Sequence, residues 1–198
     1  MMNKINQPLA FSDNFNDTQL RILDAAITCV KDWGLEKTSL NDIAKRAGVT
    51  RPTVYNYFSN KNEVIRTALL QSGYALAERM VAHISAFPSP AEKLIEAMVY
   101  AVNTLPTEPH LDIVTHTEIP SDIYEDALQD TEGQQILLMI FGEILKDEPD
   151  IDANDLMEII EISVRLALSL TTLKGTLTRS DEELRAFLSR RLLPAVGL

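Results

Sequence analysis

The chain has 198 residues, 45% hydrophobic and 24% charged, with a net charge of −11 and one cysteine, Cys29. This length allows one large or two small domains, each able to bury a core, and this composition excludes a disordered chain. A lone cysteine excludes an internal disulfide framework, no run approaches the ~18 apolar residues of a membrane helix, and the start, MMNKINQPLAFSDNF, lacks the blocks of a secretion signal, so a cytoplasmic location is expected.

The acidity is uneven. Residues 1–66 carry nine Lys or Arg against seven Asp or Glu, a net of +2, whereas residues 67–198 carry nine against 22, a net of −13. A weakly basic segment joined to a strongly acidic body predicts separate partners, and only the first segment suits a polyanion.

Residues 1–15 read as a disordered arm. Leu20, Leu23, Ile27 and Val30 recur at helical steps, so a helix is expected from Asp17 to about Trp33, capped by Asn16 or Asp17 and stopped by Gly34. Trp33 is expected to pack beneath the next helices, and Cys29 to be a packing residue. Ser39 opens a capping box with Asp42, and Leu40, Ile43, Ala44 and Ala47 form one apolar face. Gly48 suits a left-handed turn, Thr50 caps a second short helix, and Pro52 is tolerated in its first turn. With Val54 and Phe58 inward, Arg51, Thr53, Tyr55, Asn56 and Tyr57 turn outward. Two helices joined this tightly form a helix-turn-helix, whose second helix enters the major groove of DNA.

Asn60 caps a long helix from Lys61 to about Phe87, ended by Pro88 and Pro90; its start offers N–H groups and positive charge to a phosphate. Further helices are expected over Ala91–Leu105, Glu132–Lys146, Ala153–Leu173 and, after a Ser180/Glu183 capping box, through about Leu193. No strand alternation is visible. The fold class is therefore all-α, with an N-terminal three-helix domain over 16–66 and a helical C-terminal domain over 67–198.

Residues 17–66 resemble the DNA-binding domain of TetR-family transcriptional regulators. The resemblance is carried by the ILDAA helix, the G-x-x-x-T-S entry, IA-x-x-AGV, the T-x-Y-x-YF recognition helix and the restart at Lys61. Pro52 departs from the commoner glycine. The resemblance implies a homodimer that reads a palindromic operator and is released by a ligand held in the C-terminal domain. Carried over by position, Ser39, Tyr55, Tyr57 and Lys61 would hold phosphates, and Arg51, Thr53 and Asn56 would read bases. The chemistry agrees: Arg forks onto guanine, Asn onto adenine, and the Thr methyl meets the thymine methyl.

For the C-terminal domain, Met98, Tyr100, Val102, His116, Tyr124, Met139 and Phe141 are candidate lining for a small hydrophobic effector. Arg165, alone in an apolar run, is a candidate for an anionic group, against a simple helical pair with Glu161. Leu166, Leu170, Leu173, Leu184, Leu188 and Leu192 are candidates for a dimer interface. His110, Asp112, His116 and Glu118 lack metal-site spacing, so neither metal nor cofactor is expected. No nucleophile elbow, phosphate loop or catalytic pairing points to an enzyme. The rival reading is a helical small-molecule-binding or enzymatic protein with an accessory helix-turn-helix.

Overall fold

A computed structural model describes residues 11–108, 131–148, 151–173 and 179–198, and every regular element among them is helical. Helix α1 spans Asp17–Trp33, α2 Leu40–Ala47, α3 Arg51–Tyr55, α4 Lys61–Ile84, α5 Pro90–Thr104, α6 Thr131–Ile144, α7 Ala153–Thr172 and α8 Asp181–Arg191. The chain divides into two compact units, Met1–Ala75 and Leu76–Leu198. The division falls inside α4, later than the expected boundary at residue 66, because a continuous helix carries the chain past it.

Short polar residues start most of these helices, as their chemistry requires. The Asn16 side chain accepts from the Thr18 and Gln19 N–H groups while Gln19 reaches back to the Asn16 N–H, closing a capping box. Ser39 with Asp42 and Ser180 with Glu183 close two more. Pro90 does not terminate the long helix: that helix ends at Ile84, and Pro90 opens α5 behind the Ser89 cap, where a missing N–H is harmless. The N-terminal arm is partly structured. Residues Phe11–Asn14 form a 3-10 turn, with the Phe11 ring stacked on Tyr74 at 4.5 Å and edge-on to Phe15 at 5.3 Å. Aromatic burial of this kind outweighs the loss of chain freedom.

The first unit closes over Ile22, Leu23, Ala26 and Cys29 of α1, Ile43 and Ala47 of α2, Val54, Phe58 and Val64. Trp33 stands outside this core at 44% exposure, contrary to expectation. The Arg46 guanidinium covers its ring at 4.9 Å and pairs with Asp32 at 2.6 Å, so the indole is sheltered by a cation at the surface.

In the second unit α6, α7 and α8 all pack on α5. Leu94, Ala97, Met98 and Val99 are buried there, and so are two charges, Lys93 and Glu96. Buried charges persist only when paired and hydrogen-bonded. The Lys93 Nζ donates to the Glu143 carboxylate at 3.0 Å and to the Glu143 carbonyl at 3.2 Å, tying α5 to the last turn of α6. Arg185 of α8 forks onto Glu96 at 2.5 and 3.0 Å, and His83 Nε2 lies 3.8 Å from the same carboxylate.

Both carboxyls titrate below their ordinary value. Hydrogen bonds from Arg185 hold Glu96 down against the opposing effect of burial, with the charges of Arg185 and His83 adding to them. For Glu143, burial pushes the carboxyl up, but hydrogen bonds from Lys146 and Lys93 outweigh it. A folded value below the unfolded one means that the unfolded chain binds more protons in between, so stability rises with pH across that window. The contribution of both pairs is complete above the ordinary Glu value of about 4.3 and is lost as pH falls through the depressed values. Urea-unfolding midpoints should therefore fall as pH is lowered below about 5, and Glu96→Gln should flatten the fall.

Candidate nucleic-acid interface

The surface of the first unit that presents polar side chains is built by a sharp turn. Gly48 adopts φ +67° and ψ 32°, the left-handed conformation that a glycine reaches without a Cβ penalty, and its N–H returns to the carbonyls of Ala44 and Lys45. Val49 N–H donates to the Ala44 carbonyl at 2.9 Å, and the Val49 side chain packs, half-buried, on the core. Thr50 then caps α3 by accepting from the Thr53 N–H.

Helix α3 is a short turn and a half, Arg51–Tyr55; Asn56 is its C-cap and Tyr57 lies beyond it. Val54 is fully buried and Phe58 nearly so, and these two anchors hold the segment down. Arg51, Tyr55, Asn56 and Tyr57 consequently face out, while Thr53 is half-buried with its hydroxyl 2.8 Å from that of Thr50. Arg51 is held as well: its Nη2 donates to the Tyr55 hydroxyl at 3.0 Å, and the guanidinium carbon lies 5.4 Å from the centre of the Tyr55 ring.

Two further predicted residues lie at helix starts of the same unit. Ser39 stands at the positive end of α2, its hydroxyl donating to Asp42 Oδ2 at 2.5 Å. Lys61 opens α4, and its Nζ donates to the Leu35 carbonyl at 3.1 Å, which fixes the ammonium beside the loop between α1 and α2. An ammonium has three N–H donors, so Lys61 keeps donors for a phosphate. The face combines helix starts, a guanidinium, an amide, a lysine and two phenols, a set suited to phosphate oxygens and base edges. Cys29 is buried in the core of this unit, and burial pushes its thiol up more than the nearby Arg46 pulls it down.

The candidate effector residues of the second unit divide. Met98 and Phe141 are buried, and Tyr100, Val102 and Met139 pack half-buried against the same extended apolar core. His116 and Tyr124 lie outside the described residues, as do His110, Asp112 and Glu118. Arg165 does not face this cluster: its side chain is 76% exposed and pairs with Glu161 at 2.8 Å, the ordinary i,i+4 arrangement.

The expected dimer residues also divide. Leu184, Leu188 and Leu192 are enclosed in the core of their own protomer at 5%, 0% and 1% exposure, and side chains enclosed there cannot meet a partner. On α7, Leu166 and Leu170 are half-buried and Leu173, just past its end, is 71% exposed. Exposed Leu138 on α6 and exposed Met157 and Ile162 on α7 escaped the sequence reading. Apolar periodicity marks both faces of such helices, and only burial separates core from surface.

Comparison with known proteins then adds relatives. Residues 22–68 match the family described as bacterial regulatory proteins, tetR family. A helix-turn-helix transcriptional regulator of Mycobacterium bovis is 32% identical over 111 residues, 56% of this chain and 57% of that protein, so the match spans little more than half the relative's length. A fatty acid metabolism regulator of Bacillus subtilis is 26% identical over 159 residues, covering 80% of this chain and 81% of the relative. Among solved structures, the fatty acid degradation regulator FadR of Bacillus halodurans superposes with a TM-score of 0.62 at 20% identity, covering 92% of this chain and 95% of that one. FadR of Bacillus subtilis in complex with stearoyl-CoA gives 0.58 at 22% identity, covering 89% and 96%. The structural likenesses show a shared fold.

Proposed function

We propose that this chain, whose residues 22–68 match the tetR family of bacterial regulatory proteins, is a ligand-responsive transcriptional repressor, without catalytic activity, acting on chromosomal DNA in the cytoplasm. The observation that carries the proposal is the outward surface of residues 51–57, where buried Val54 and Phe58 leave Arg51, Tyr55, Asn56 and Tyr57 exposed. In this reading Arg51, Thr53 and Asn56 meet base edges, and Ser39, Tyr55, Tyr57 and Lys61 hold phosphates.

Two copies pair through the apolar stripe Ile162, Leu166 and Leu170, spaced by four along one side of α7, together with Leu173 just past its end. A two-fold pair sets two α3 helices on half-sites one helical turn, or a multiple, apart. The effector is a long acyl group or its thioester. The Bacillus subtilis structure holding stearoyl-CoA supports that class, as does the apolar core to which Met98, Tyr100, Val102, Met139 and Phe141 belong. Helix α4 begins at Lys61 and continues past Ala75 into the second unit, so it provides the covalent route between effector and reader. The effector releases DNA by binding the DNA-incompetent arrangement more tightly, typically by about 1–3 kcal/mol.

Anisotropy of a labelled duplex drawn from the protein's own promoter region tests this. Stearoyl-CoA and stearate should release the duplex, and acetyl-CoA should not. Release by acetyl-CoA alone, or by none of the three, would sink the effector class while leaving DNA binding standing.

A further inference from the structure

The contact between Arg51 and Tyr55 joins two roles that the family resemblance keeps apart, base reading and phosphate holding. We propose that Tyr55 is a positioning residue for Arg51, its hydroxyl holding the guanidinium so that a phosphate contact and a base contact are made as one unit; this rests on the DNA-binding reading above.

Arg51 stands at the first position of α3 and Tyr55 four residues on, so the side chains lie one above the other. Both are exposed, and no core packing holds either in place. What orders the guanidinium is the 3.0 Å hydrogen bond from Nη2 to the phenol oxygen, with the guanidinium carbon 5.4 Å from the ring centre. An arginine side chain has many rotamers, and a planar fork loses little further freedom once its direction is set. The phenol is suited to the link because it accepts from Arg51 and still has its own O–H to donate. When that O–H meets a phosphate, the chain phosphate–Tyr55–Arg51 polarises along its length. The rest of α3 is organised likewise, with the Thr50 and Thr53 hydroxyls paired at 2.8 Å and Pro52 stiffening the first turn. The reader is thus arranged before DNA arrives, which spares ordering on binding.

A double-mutant cycle tests the proposal. Full-length wild type, Tyr55→Phe, Arg51→Ala and the double variant are titrated against the duplex that wild type enriches from a randomised pool, and against a scrambled duplex of equal length. Tyr55→Phe keeps the ring and removes only an exposed hydroxyl, and unchanged far-UV melting checks the fold. The preference for the selected duplex should drop roughly 3- to 30-fold in Tyr55→Phe, part of the discrimination of one bidentate pair. The double variant should prefer the selected duplex no less than Arg51→Ala alone does, since the hydroxyl affects that preference through the guanidinium. Equal weakening on both duplexes, with effects that multiply in the double variant, would overturn the proposal and make Tyr55 an independent phosphate contact. Should wild type enrich no duplex at all, the DNA-binding reading itself falls, and the positioning role with it.

Discussion

Replacing Glu143 by alanine should destabilise the full chain by roughly 2–4 kcal/mol, the cost of leaving a buried charge without its counter-ion. The Lys93 side chain is 2% exposed and that of Glu143 18%, so the pair is poorly screened. Without the carboxylate, the acceptor left to Lys93 among the described residues is the carbonyl of residue 143, at 3.2 Å. The double variant Lys93→Met, Glu143→Leu should be close to wild type, because an apolar pair of similar volume removes both desolvation penalties. Urea unfolding of the full chain followed by far-UV circular dichroism makes the comparison. A Glu143→Ala protein within about 0.5 kcal/mol of wild type would show that the ammonium needs no carboxylate.

The second large effect is on DNA. Arg51→Ala should weaken binding to the selected operator about 5- to 100-fold per half-site while hardly changing binding to scrambled DNA, as expected of a lost base contact. Lys61→Ala should weaken both duplexes alike and make the slope of log K against log[salt] less steep by about 1 per half-site. The two outcomes follow from different geometry. The Arg51 fork projects from α3 with no anchor in the core, whereas the Lys61 ammonium is pinned by the Leu35 carbonyl beside a helix start. Anisotropy titrations over a salt series separate them, and the same signature for both residues would reject the division of roles.

Most of the first unit is readable from local chemistry. The α1 limits, the Ser39 and Thr50 caps, the left-handed Gly48 and the burial of Val54 and Phe58 each depend on neighbours within a few residues. The second unit is less readable because its decisive contacts are distant. Lys93 meets Glu143 across 50 positions and Glu96 meets Arg185 across 89, and no local pattern marks either pair. Leu184, Leu188 and Leu192 have the spacing of an interface and the burial of a core; Leu138, Met157 and Ile162 have the reverse. Trp33 is exposed although its size predicts burial, since Arg46 rather than the core covers it. The outward set on α3 is readable as a set, but the bond between Arg51 and Tyr55 appears only once a helical turn places them together.

The central claim is that a pair of α3 helices reads a two-fold symmetric site on DNA. Selection of duplexes from a randomised pool by the full-length protein, repeated with Arg51→Ala, tests it most directly. The wild-type pool should enrich a palindrome whose half-site centres lie about 34–36 Å apart or a multiple of that, and the Arg51→Ala pool should lose the enrichment. Enrichment of no motif, or of the same motif to the same degree by Arg51→Ala, would contradict it.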